Sequence, residues 1–268
     1  MKKINNFYPT LGESWMLLGM LLVCMLIGGG VSATFSMIDP SLNSWGFLIG
    51  YVLPFVLLIG FIFLYRGNFG SEPDAMPATF KKQPTSVLLL LFVITPCLSV
   101  LIEPLVSWIP YPSWFDFESL IKNIVKTNVP SFLAIVIAAP VCEEWLMRGI
   151  ILRGLLKHRK PWSAILWSAF LFGLMHLNPW QGIPAICLGI FFGWVYWRTG
   201  SLWLCIFMHF VNNGLAFLML CLYPDTDTMA DLFGPMYPYL LIIAAFLVLL
   251  LGFILYKKIE TSNKAENN

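Results

Sequence analysis

The stretch A139-P-V-C-E-E-W-L-M-R-G-I-I-L152 is apolar at both ends, yet it holds Glu143, Glu144 and Arg148 at its middle. Two carboxylates and a guanidinium inside an otherwise lipid-compatible helix cost about 2.5–3.5 kcal/mol each at the bilayer centre, so such residues mark function. The fold is read outward from them. Helix geometry separates the pair. Residues 144 and 148 are i,i+4 neighbours on one face, with the acid N-terminal to the base, the more stabilising order. Glu143 points about 100° away around the helix. Without that counter-charge it is the candidate general base. Pro140, one turn earlier, breaks the backbone ladder and frees a carbonyl close by.

The rest of the chain is apolar enough to make this a membrane problem. Of 268 residues, 59% are hydrophobic and 11% charged, against roughly 45–50% and about 25% in soluble domains. Mean hydropathy is +0.79. A net charge of +2 gives no electrostatic footprint for nucleic acid, so none is expected as a partner. The six cysteines all fall in apolar stretches and form no CxxC pair, which reads as buried thiols rather than a disulfide framework. Lys2 and Lys3 precede an apolar run with Val31-Ser32-Ala33 near its end. That run is too long for the apolar core of a cleaved leader and reads as a retained first span.

Eight stretches suit helical spans: 15–37, 44–65, 86–109, 131–156, 161–178, 181–198, 201–222 and 236–257. With eight spans both termini share one side. That side collects thirteen basic residues: Lys2, Lys3, Arg66, Lys81, Lys82, Arg153, Lys157, Arg159, Lys160, Arg198, Lys257, Lys258 and Lys264. Lys122 and Lys126 fall opposite, and Arg148 is intramembrane. The asymmetry places both termini in the cytoplasm, in the plasma (inner) membrane for a bacterial chain. The expected fold is thus an all-α membrane protein, one polytopic domain over 1–268, with its polar site at mid-bilayer depth. Residues 66–85 read as a polar cytoplasmic loop, and 113–128 as an amphipathic helix on the outer surface. Gly189-x-x-x-Gly193 reads as a close helix contact.

Further polar groups fall at matching depths. At 1.5 Å per residue, Glu143 lies ~20 Å from the cytoplasmic end of its span and His176 ~22 Å along the fifth, with His209 ~12 Å and Asn213 ~18 Å along the seventh. Three helices therefore deliver polar side chains to one level. His209 and Asn213 are again i,i+4, so their donors share a face suited to an oxyanion.

Glu143-Glu144-x-x-x-Arg148, Phe172-x-x-x-His176 and His209-x-x-x-Asn213, in that order on successive spans, resemble the motifs of the CPBP family. These are the CAAX-processing and bacteriocin-processing intramembrane proteases, also called Abi or Rce1-like. Arg198-Thr199-Gly200-Ser201-Leu202-Trp203 is similar to the family as well, and Met147 departs from its usual aromatic. The resemblance implies an eight-helix endopeptidase with its protease core over about 131–222. Glu143 and His176 would activate water, His209 and Asn213 would bind the oxyanion, and Glu144 and Arg148 would support. The substrate would be a peptide or protein, lipidated or membrane-embedded, met within the lipid bilayer. No cofactor is required in that mechanism. Zn²⁺ held by Glu143, His176 and His209 stays open as a metalloprotease form, although no HExxH is present. Two non-enzymatic readings also place buried Glu and His in a membrane: a transporter or proton relay, and an immunity-type scaffold.

Overall fold

The computed structural model describes residues 9–68, 83–110, 127–226 and 228–267. Its elements are helical throughout these residues. Eight helices follow the eight apolar stretches: α1 (Leu11–Ile38), α2 (Asn43–Asn68), α3 (Thr85–Ser107), α4 (Val129–His158), α5 (Pro161–Met175), α6 (Pro179–Thr199), α7 (Leu202–Leu222) and α8 (Tyr237–Asn267). A short turn of helix, Met229–Phe233, precedes α8. Residues 113–126 of the expected amphipathic helix and 69–82 of the expected loop lie outside the described residues.

Six of these helices are long and apolar enough to cross a membrane: α1, α2, α3, α4, α7 and α8. The expected fifth and sixth spans differ from that expectation. Helix α5 has only 15 residues, ~22 Å at 1.5 Å per residue, short of the ~30 Å hydrocarbon slab. Helix α6 has 21 residues but carries Gln181, Pro184, Arg198 and Thr199, which dilute its apolarity. The two form a hairpin packed into the bundle. A hairpin that enters and returns leaves the parity of crossings unchanged, so six or eight crossings both put the termini on one side.

Local sequence explains where the helices begin and end. Thr10 and Glu13 form a reciprocal capping box at the start of α1. Asn128 and Asn178 cap α4 and α6 through side-chain oxygens, each followed by proline in the first turn. Gly200 closes α6 with φ +65°, a left-handed conformation that glycine adopts without a Cβ clash. Between α1 and α2, the Asp39 carboxylate accepts the Ser41 N–H at 2.8 Å, and this bond holds its pKa below the usual carboxylate value. Helix α8 runs on past 257, where Glu260 and Lys264 pair at 3.2 Å one turn apart.

Packing places α4 at the centre. It is the most deeply buried of the six long helices, and α8 the least. Helix α7 packs against 133–144 of α4, α2 packs on its opening turns, and α5 covers its second half. Helix α3 contacts α6, α7 and α8. The core joins Leu146, Met147, Ile151 and Leu152 of α4 with Leu171 and Phe172 of α5, Phe192 of α6, and Leu204 and Met208 of α7. Outward, Ile242, Phe246, Leu249 and Phe253 of α8 are exposed, a surface suited to lipid.

Small residues allow the close approaches. A Cβ at Gly189 would lie 3.2 Å from that of Ala169, and one at Gly193 would lie 3.1 Å from Ile165, so this spacing joins α6 to α5. Helices α1 and α2 touch more tightly, since a Cβ at Gly28 would fall 2.1 Å from the Gly50 carbonyl oxygen. Gly28→Val should therefore lower the unfolding temperature in detergent, with an overpacking cost of about 1–3 kcal/mol. Gly19→Val on the same helix, where a Cβ meets nothing within 4 Å, should leave it nearly unchanged.

Candidate active site

Helix α4 is not a uniform α-helix. It winds as a π-helix over Leu133–Ala138, returns to α over Ala139–Glu144, and winds as π again over Trp145–Leu152. Such insertions are rare and gather at functional sites. The Glu pair sits at the end of the short α segment between them. Pro140 contributes directly. In the i→i+5 pattern the Ile135 carbonyl would bond the N–H of residue 140, and proline has none. Asn213 Nδ2 fills the gap from α7, donating to Ile135 O at 2.9 Å.

The Glu144–Arg148 pair is fully buried and bonded at 2.8 Å. Arg148 is the largest fully buried side chain of the described residues. Its other terminal nitrogen, Nη2, donates to the Gly189 carbonyl on α6 at 3.1 Å. The guanidinium lies 4.7 Å from the ring centroid of Phe172 and 5.5 Å from that of Phe192, so two aromatic faces also hold the charge. Gly189 makes this possible, since a Cβ there would stand 3.3 Å from Nη2.

His209 joins both carboxylates. Its Nδ1 lies 2.9 Å from Glu144 Oε1, and its Nε2 lies 3.9 Å from Glu143 Oε2. A carboxylate oxygen only accepts, so Nδ1 carries the proton and Nε2 faces Glu143. Glu144 Oε1 thus serves Arg148 and His209 together. Two carboxylates and one guanidinium leave a net charge of −1.

Glu143 is buried, and α2 supplies it with a partner that the sequence reading did not name. The Tyr51 hydroxyl donates to its Oε1, while Oε2 is buried and makes no hydrogen bond among the described residues. The partner is a neutral phenol rather than a counter-charge. His176 ends α5, its Nδ1 donating to the Phe172 carbonyl at 3.0 Å. The carbonyl fixes the tautomer, so the neutral ring keeps its lone pair on Nε2. His176 makes no hydrogen bond to either carboxylate among the described residues. Both histidines pack edge-on to the Phe172 ring, with centroids at 5.3 Å for His176 and 5.8 Å for His209. The turn after His176 is held by Asn178, whose Nδ2 donates to the His176 carbonyl at 2.8 Å. Leu177 there takes φ +56°, a left-handed conformation costing about 1–2 kcal/mol for a residue with a Cβ.

The expectation that His209 and Asn213 converge on one point is also modified. His209 is engaged by the carboxylates, whereas Asn213 bonds Ile135 and accepts from Asn212 at 3.1 Å. One Asn213 N–H is left for another acceptor. Asn212 in turn accepts from Ser99 of α3 at 2.7 Å, so a polar chain runs from α3 through α7 to α4. Glu103 of α3 stands apart, bonded to the Tyr237 hydroxyl of α8. The six cysteines are free thiols. For the zinc alternative, the donors do not form a ligand set. No three His, Cys, Asp or Glu side chains among the described residues group around one ion position, and Glu143 Oε1 already accepts from Tyr51.

Sequence reasoning missed Tyr51, Ser168, whose hydroxyl donates to the Met147 carbonyl at 3.2 Å, and the aromatic clamp on Arg148. A tyrosine at the middle of an apolar span was a visible signal, because its hydroxyl needs a partner there.

Fold and site together define a multi-pass, all-α membrane protein with a buried Glu–Arg–His centre. Residues 125–215 match the family model described as Type II CAAX prenyl endopeptidase Rce1-like, about a third of the chain, and all six predicted site residues lie within the match. The chain is also similar to "Putative membrane peptidase YdiL" of Bacillus subtilis (strain 168), at 30% identity over 83 residues, which cover 31% of this chain and 34% of that protein. The chain thus spans about a third of the length of this curated relative. No solved structure matches.

Removing one member of the buried pair exposes its worth. Arg148→Ala should destabilise by about 3–5 kcal/mol, because Glu144 is left charged and buried. Arg148→Met combined with Glu144→Gln should recover most of that loss in thermal unfolding, since no orphaned charge remains.

Proposed function

We propose that this chain is an intramembrane endopeptidase that hydrolyses a peptide bond with a water activated by Glu143. The observation that carries this reading is the difference between two adjacent buried carboxylates. Each keeps a buried Oε2 without a hydrogen bond among the described residues, but Glu144 Oε1 is paired with the Arg148 guanidinium, while Glu143 Oε1 accepts only from the neutral Tyr51 phenol and its Oε2 lies 3.9 Å from His209 Nε2. The likeness of 125–215 to a family of prenyl endopeptidases, and of the chain to a protein named as a membrane peptidase, supports the same reaction class.

In this mechanism Glu143 Oε2 and the lone pair of His176 Nε2 orient the water. Glu143 takes its proton as the water oxygen attacks the substrate carbonyl carbon. The developing oxyanion is met by the remaining N–H of Asn213 and by protonated His209 Nε2. The tetrahedral centre then collapses, the C–N bond breaks, and the proton held by Glu143 passes to the departing amine. Glu144, held by Arg148, accepts from Nδ1 and keeps the His209 ring in one orientation. All of this proceeds without a metal. The substrate is a peptide or protein presented at the bilayer, with prenylated CAAX C-termini, bacteriocin leaders and membrane anchor segments as the classes to try. Both termini lie in the cytoplasm, and the thirteen basic residues of that face meet the inner leaflet.

The test is cleavage of such a peptide panel by purified protein in lipid. Glu143→Gln and His176→Ala should each lower kcat by about 10²–10⁴-fold while unfolding temperatures stay near wild type. Glu144→Gln should lose both activity and stability. Full activity in Glu143→Gln would overturn the proposed base. Zinc bound at one ion per chain that tracks activity through chelation and reloading would overturn the metal-free form.

A further inference from the structure

Tyr51 lies on α2, outside the three motifs and outside the matched residues 125–215. Its ring is held at centroid distances of 6.3 Å from Phe47 and 5.9 Å from Phe55, the neighbours one turn on either side. These contacts fix the direction of its hydroxyl, which donates to Glu143 Oε1 on α4. The carboxyl group is thereby divided. Oε1 accepts from the phenol, and Oε2 is left buried, unpartnered and facing the imidazole of His209.

We infer that Tyr51 is a positioning residue, holding Glu143 in one rotamer so that Oε2 is the oxygen presented to water. A neutral donor suits the task. A cation in the same place would pair with Glu143 as Arg148 pairs with Glu144, and would weaken it as a base. A purely apolar neighbour would leave both oxygens unbonded and the rotamer free. The phenol orders the carboxylate without neutralising it. This also accounts for a polar residue in the middle of a span that is otherwise Gly, Leu, Ile, Val and Phe-rich.

The kinetic part of this inference rests on the endopeptidase reading, and a spectroscopic part does not. Tyr51→Phe removes one oxygen and keeps the aromatic contacts. It should lower kcat about tenfold, the worth of a hydrogen bond to a charged group. KM should stay within about twofold, and the unfolding temperature should not move. In infrared difference spectra, the carboxyl band that Glu143→Gln abolishes should shift in Tyr51→Phe, because its hydrogen bond is gone. Wild-type kcat in Tyr51→Phe with an unmoved band would overturn the inference. A fall in kcat matched by a fall in unfolding temperature, with the band unmoved, would make Tyr51 merely structural and overturn it as well. A shifted band in a protein that cleaves no peptide would support the hold on Glu143 and overturn the endopeptidase reading alone.

Discussion

A guanidinium with no exposed surface inside a membrane bundle must be neutralised where it stands. Arg148 meets that demand from four directions: Glu144 on its own helix, the Gly189 carbonyl on α6, and the rings of Phe172 and Phe192. These partners come from three helices, so the charge fixes the mutual placement of α4, α5 and α6. Breaking that arrangement would leave an ion in a low-dielectric interior, a cost no loop rearrangement offsets. The geometry of the candidate site inherits this rigidity. Glu144, held by Arg148, holds His209, and His209 faces Glu143.

The second organising element is the irregular winding of α4. A π-turn displaces later side chains around the helix relative to an α continuation, and it leaves backbone carbonyls that want donors. Pro140 makes one such carbonyl unavoidable, and Asn213 answers it from α7. The same asparagine is therefore both a structural clamp and a candidate donor to the reaction. Its neighbours Asn212 and Ser99 extend the clamp to α3. A helix with regular α geometry throughout would have no such need and would not tie α7 to the Glu pair in this way.

Much of this was legible in the chain itself. Apolar length located all eight helices, because a bilayer admits few alternatives to a helix. The i,i+4 rule foretold the Glu144–Arg148 bond, and Pro140 foretold a freed carbonyl. Spacing did not reveal what comes from helices distant in sequence. Tyr51 is 92 residues from Glu143, and no periodicity links them. The orientation of His209 toward Glu144 was hidden too, since depth along a helix says nothing of rotation about its axis. The π stretches were invisible because apolar runs such as L-A-I-V-I-A carry no marker of winding. Helices α5 and α6 stand where the apolar stretches put them, but α5 is short and α6 is diluted by Gln181, Pro184 and Arg198.

The shortness of α5 has a consequence for the level at which His176 sits. A helix ~22 Å long, entering a slab of ~30 Å from one side, ends before the far surface. The turn that carries His176 therefore lies at a level where lipid tails cannot surround it, because bare backbone in hydrocarbon is too costly. Asn178 and the carbonyl bonds of this turn satisfy part of the exposed polarity. Water or polar groups of neighbouring helices must satisfy the remainder. The truncated helix thus acts as a depth gauge. It sets the level of the His176 turn, and one added turn would move that level by about 5.4 Å.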